Sequence, residues 1–189
     1  MKNGSNATVR NRRVVLVDED EIQMRPFVME LELRGVEVRR FFEADACLRS
    51  SRLLKHVDTF LVDVMLISER RYSTDETLDH MYTGVFLARD IRKYQQAVPI
   101  VLLSNHSMKD SVARIRKALA SIGNCAFVPK QSFKGALEFG NTIEAVMADG
   151  VAALKKGFWK RLGAGVLVQP NLAGVGVDLR EVFGVEPSQ

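Results

Sequence analysis

The chain has 189 residues, 47% of them apolar and 26% charged, with 27 Lys plus Arg against 23 Asp plus Glu for a net charge of +4. That composition excludes an intrinsically disordered chain, and so small a charge excess does not mark a nucleic-acid binder. No apolar run approaches the ~20 residues of a membrane span, Met1–Arg13 lacks the apolar core of a secretory signal, and with two cysteines, Cys47 and Cys125, far apart and without CxxC spacing, neither a disulfide framework nor a thiolate metal site is expected. A cytoplasmic protein is expected.

Residues 1–12 are polar and read as a flexible N-terminus. Val14-Val15-Leu16-Val17 is a short apolar, β-branched run, the pattern of a strand buried on both faces. Ile22 to Arg34 carries Phe27, Val28 and Leu31 at helical spacing and is stopped by Gly35. A second strand fits Val36–Phe42, a helix Ala44–Leu54 and a third buried strand Phe60–Val62. Gly84–Tyr94 places Val85, Leu87, Ala88 and Ile91 on one helical face. Pro99–Leu103 is a fourth strand, Met108–Ile122 a helix, Ala126–Val128 a fifth strand, and a further helix starts near Ser132. Short apolar strands alternating with amphipathic helices predict an α/β fold, a parallel sheet with helices on both faces. Ligands of such sheets sit at the carboxyl ends of the strands.

Those ends carry polar groups. Asp18-Glu19-Asp20-Glu21 follow the first strand, Asp63 the third, Ser104 the fourth, and Lys130 comes just after the fifth. Taken singly, each has a structural explanation: a helix cap, an Asx turn or a surface lysine. Taken together they form a chemical set, because carboxylates at one point repel unless a cation joins them. Mg²⁺ takes one or two carboxylates plus phosphate oxygens and water. An ionised Asp beside such a metal can attack phosphorus, while a lysine and a hydroxyl neutralise the phosphoryl oxygens.

With Val-Asp-Glu at 17–19, Val-Asp at 62–63, Leu-Ser at 103–104 and Phe-Val-Pro-Lys at 127–130, the sequence resembles the receiver domain of two-component response regulators over residues 13–149. The resemblance implies a five-stranded, flavodoxin-like sheet of order 2-1-3-4-5. It makes Asp63 the phosphoacceptor, Asp18 and Glu19 the metal-binding acids, and the Met65 carbonyl a backbone ligand to Mg²⁺. Asp20 replaces either acid if the register shifts by one. Ser104 resembles the hydroxyl residue that follows the phosphoryl group, Lys130 the family's lysine, and Phe127 the aromatic that swings inward on activation. Met65 and His106 would line the approach of hydrolytic water. The implied partners are a sensor histidine kinase or phosphotransfer protein and an unknown output protein, and the implied catalysis is limited to the protein's own phosphorylation and dephosphorylation.

Three departures from the family pattern stand out. Ile67 occupies the place where a proline usually follows the phosphoacceptor, and Gln131, not proline, follows Lys130. Gly84, which opens the next helix, stands 21 positions after Asp63, so residues 68–83 form an insertion, expected to be a partner-binding lid or a mobile flap.

Beyond Ser132, Ile143, Met147, Val151, Leu154, Phe158 and Leu162 form one helical stripe. The extension 150–189 is expected to dock on its own domain or to pair with a second copy as a homodimer. Lys155, Lys156, Lys160 and Arg161 read as a solvated face, and residues 163–189 are too few for a helix-turn-helix module. Two alternatives to a phosphorylated regulator remain: a receiver-like scaffold that is never phosphorylated, and a haloacid-dehalogenase-like phosphohydrolase. In the latter, Asp18 would be nucleophile and Asp20 acid/base, and Asp63 would have no role.

Overall fold

The computed structural model describes residues 11–51, 54–68, 71–78, 80–105, 112–156 and 167–169. Its elements are β1 (Arg13–Val17), α1 (Glu21–Leu33), β2 (Glu37–Phe41), α2 (Ala44–Ser51), β3 (Thr59–Asp63), α3 (Thr74–Thr77), α4 (Thr83–Arg92), β4 (Ile100–Ser104), α5 (Val112–Ile122), β5 (Cys125–Pro129), α6 (Ala136–Asp149), α7 (Ala153–Lys156) and β6 (Leu167–Gln169). The sheet runs β2-β1-β3-β4-β5-β6. Its first five strands are parallel, in the order expected, and β6 joins antiparallel to β5. The sixth strand is an addition to the expected five.

Alternation along the strands divides the core. Val15, Val17, Phe60, Val62, Ile100, Leu102, Cys125 and Phe127 face α2, α4 and α5. Val14, Leu16, Leu61, Val101, Leu103, Ala126 and Val128 face α1 and α6. The three central strands β3, β4 and β5 are buried at every position, which is why they read as unbroken apolar runs. Each Val, Leu, Ile or Phe side chain among them contributes about 1.5–3 kcal/mol by leaving water.

At the amino ends of the strands, Arg92 closes α4. Its guanidinium donates to the carbonyls of Gln95, Gln96 and Val98 in the following loop and of Ile122, Gly123 and Asn124 after α5. Arg12, placed by the sequence in a flexible terminus, is held by Glu144 at 2.6 Å and by the Arg34 carbonyl at 2.9 Å.

Over its described part the insertion packs against the domain. Tyr72 and Tyr82 are buried in the core face shared with α2 and α4. Ser68 Oγ donates to Asp45 Oδ2 at 3.0 Å and Tyr72 Oη donates to Asp90 Oδ2 at 2.9 Å. Ser73 caps α3 by accepting from the Glu76 N–H. The C-terminal stripe is also spent internally as far as Leu154. Helix α6 stops at Asp149, where Gly150 turns with φ 70°, a conformation that favours glycine. A 3₁₀ turn (Gly150–Ala152) and α7 then press Val151 and Leu154 onto the α1–α6 core. Phe158 and Leu162 lie outside the described residues.

Candidate functional site

Parallel pairing brings the strand ends to one rim. Val17 lies opposite Val62 and Asp63 opposite Leu103, while Ser104 lies opposite Pro129. Asp18, Asp63, Ser104 and Lys130 therefore stand together at or one residue beyond the ends of β1, β3, β4 and β5. All four are buried.

Lys130 ties the acids together. Its Nζ lies 2.5 Å from Asp63 Oδ2 and 2.8 Å from Asp18 Oδ2. Backbone N–H groups hold the other carboxylate oxygens: Met65 N donates to Asp63 Oδ1 at 3.1 Å and Asp20 N to Asp18 Oδ1 at 3.0 Å. Asp18 Oδ2, although beside the ammonium, has no hydrogen bond of good geometry and no access to solvent. Carboxylate oxygens of Asp18, Glu19 and Asp63 lie within 4.8 Å of one another.

The electrostatics of this cluster are unbalanced. Loss of hydration pushes the Asp18 carboxyl up to about 6, with Lys130 pulling it down and Asp63 pushing it further up. Glu19 is exposed as a residue, yet its carboxyl end leans over the two aspartates and loses enough water to be pushed up to about 7. Burial works against the Lys130 charge, but Asp63 and Asp18 outweigh it and hold the ammonium above its ordinary value. Three clustered carboxyl groups thus share one cation. A hard divalent ion fits such an all-oxygen set, and Asp18 Oδ2, whose close partner is the shared Lys130 ammonium, is an atom such an ion would satisfy.

The other expected site residues fall as follows. Asp20 caps α1, its Oδ1 accepting from Gln23 N at 2.8 Å, and it stands outside the acid cluster. Ser104 is fully buried at the end of β4. Phe127 is buried among Ile100, Leu102, Ile115 and Ala118. His106 lies outside the described residues. Lys130 begins a 3₁₀ turn (Lys130–Ser132), and its peptide bond to Gln131 is trans. The lysine reaches Asp63 by that path without the family's proline.

One participant escaped the sequence reading. Gln23 Oε1 accepts from Asn105 Nδ2 at 2.8 Å and from Lys130 Nζ at 3.4 Å, which links the first turn of α1 to the β4 end and the lysine. The signal for it is its place three residues after the N-cap Asp20, since that cap sets the phase of the helix over the rim.

Gly84, distant in sequence, abuts Asp63. A Cβ at this position would overlap the Asp63 carbonyl oxygen, and the Gly84 N–H donates to the Val64 carbonyl at 2.9 Å. The chain leaves the rim after β3, builds the insertion, and returns to the same point.

No family model matches the sequence, and no curated protein does. Solved structures do match. A response regulator receiver domain protein (CheY-like) from Methanospirillum hungatei JF-1 is 17% identical, with a TM-score of 0.55 over 78% of this chain and 100% of that one. A response regulator from Burkholderia pseudomallei, solved with a phosphorylated aspartic acid, calcium ion and citrate, is 16% identical, with a TM-score of 0.56 over 82% of this chain and 76% of that one. The chemotaxis response regulator CheY4 of Vibrio cholerae is 16% identical, with a TM-score of 0.55 over 72% of this chain and 99% of that one. Strand order, rim chemistry and these likenesses converge: the chain has the response regulator receiver fold.

Proposed function

We propose that this chain is a phosphorylation-dependent signalling protein that accepts a phosphoryl group on Asp63. The observation that carries this reading is the Lys130 ammonium seated between Asp18 and Asp63, groups from the ends of three strands. The donor is a phosphohistidine of a sensor kinase or phosphotransfer protein. An Asp63 carboxylate oxygen attacks phosphorus as the P–N bond of the donor breaks; the electron pair returns to the imidazole, which takes up a proton. Asp18, Glu19 and Asp63 with the Met65 carbonyl would hold Mg²⁺, which would supply neutralising charge to the phosphoryl oxygens. Lys130 turns its charge from carboxylate to phosphoryl oxygen, and Ser104 offers its hydroxyl to the same group.

Replacing the ammonium's partner in this way shifts Ser104 and Phe127, and with them the surface formed by α5, β5 and α6 that an output protein reads. Catalysis is confined to the chain's own acyl phosphate, with no outside substrate turned over. A cytoplasmic setting belongs to this reading; among the described residues no helix is long and apolar enough to cross a membrane. The phosphohydrolase alternative needs Asp20 as acid/base, but its side chain is engaged as a helix cap.

Phosphate-affinity electrophoresis after incubation with acetyl phosphate and Mg²⁺ tests the reading. A retarded band is expected in wild type and absent in Asp63→Asn. A band retained by that variant overturns the acceptor. No band in wild type, under conditions that modify a control receiver, favours the non-phosphorylated scaffold instead.

A further inference from the structure

The insertion builds a second site. Between α2, α3 and α4 lies a cleft of about 670 Å³, within the range of small-molecule pockets. It is on the face of α2 and α4, and none of Asp18, Glu19, Asp63 or Lys130 lines it. The insertion supplies one wall through Arg71, Tyr72 and Glu76, and the rest comes from the receiver helices.

Its charge pattern is uneven. Arg71, Arg89 and Lys93 all converge on the single carboxylate of Asp90, at 3.2, 3.6 and 2.7 Å. Asp90 Oδ2 also accepts from Tyr72 Oη, so it is shared four ways. Arg89 Nε is buried without a hydrogen bond, and its guanidinium lies 5.1 Å over the Phe86 ring. Across the cleft Arg49 is exposed and forms no hydrogen bond or ion pair with the described residues. Of the remaining acids, Asp45 accepts from Ser68 and Glu76 stands on the insertion wall. Four cationic groups thus line a concave site with three acids, one of which, the buried Asp90, is already committed to three of the four.

We infer that this cleft binds a small phosphate ester. Three guanidinium groups and an ammonium stand against the carboxylates of Asp45, Glu76 and Asp90, so the lining keeps a net positive charge, and a phosphate has three terminal oxygens and up to two charges to meet the donors that remain. Arg49 on one wall and Arg71 on the other grip the phosphate from both sides, with Lys93 and Arg89 completing the charge. The volume exceeds that of the anion alone, and Leu48, Tyr72 and Phe86 at its base suit an apolar or ring-bearing body.

The test is an amide chemical-shift titration of the full chain without added divalent metal, using inorganic phosphate and phenyl phosphate as probes. Saturable shifts are expected over residues 45–49, 71–76 and 86–93, with tighter binding of phenyl phosphate. Arg49→Ala/Arg71→Ala should bind about tenfold more weakly, or worse. Lys93→Gln, which leaves both arginines in place, should show a smaller loss and serves as the reporter if the double variant melts early. The inference is overturned by the absence of saturable shifts with either probe, by equal binding in a folded variant, or by shifts centred on Asp18, Asp63 and Lys130. It stands or falls independently of Asp63 phosphorylation, which needs neither arginine.

Discussion

A carboxylate that loses water without gaining a full set of hydrogen bonds destabilises the fold that holds it, and Asp18 is such a group. With one ammonium serving two buried aspartates, removing one charge should relieve the rest. Asp18→Asn is therefore expected to raise the stability of the metal-free protein at neutral pH by about 1–3 kcal/mol. The same variant should lose the increase in melting temperature that Mg²⁺ gives wild type. A variant less stable than wild type, or one still stabilised by Mg²⁺, would contradict the assignment; thermal denaturation with and without Mg²⁺ reads both. The acids and Lys130 were legible because each closes an apolar run whose end is a strand end. Gln23 was not, because its role depends on the rotation of α1 over the sheet, and the four successive acids before it leave that rotation open until Asp20 is known to be the cap.

Elements show the reverse balance. The five parallel strands and their helices were plain in the periodicity. Residues 68–83 were not, since their described buried residues, Ser68, Tyr72, Thr77, Tyr82 and Thr83, follow neither a helical nor a strand period. What orders them is long-range: Tyr72 reaches Asp90 on α4, and Ser68 reaches Asp45 on α2. Burial alone would raise the Asp90 pKa, but Lys93, Tyr72 and Arg89 overcome it and hold the carboxyl below its ordinary 3.8. A lowered folded-state value means that the stabilisation is complete above that ordinary value and is lost as pH falls through the lower one. Asp90→Asn should accordingly cost about 1–3 kcal/mol at neutral pH, discounted for the exposure of its cationic partners. The difference from wild type should shrink as the pH falls below about 4; urea titrations at several pH values measure it. Gly84→Ala tests the junction itself. Its methyl would overlap the Asp63 carbonyl, so a loss of about 1–3 kcal/mol or more is expected. Wild-type stability in that variant would mean that α4 does not press on the end of β3.

At the scale of the molecule, β6 changes how the sheet ends. Cys125, Ala126 and Phe127 face Gln169, Val168 and Leu167 in antiparallel register, which covers backbone groups that would otherwise form an open edge. Three residues are too short a run to announce a strand by pattern, and only the neighbouring β5 makes them one. Removing the chain after Lys156 should speed hydrogen exchange at Cys125–Phe127 and make self-association depend on protein concentration. Unchanged exchange at those amides would show that β6 adds nothing to β5.

The junction at Gly84 carries a broader consequence. Because departure and return occur at adjoining peptide units, the excursion between them is a detour and not a rerouting: the thread could be lengthened or shortened there while Asp63 kept its position. The detour's freedom is limited by its cargo, since Tyr72 and Tyr82 are moored in the interior and a shorter version would have to fill their berths.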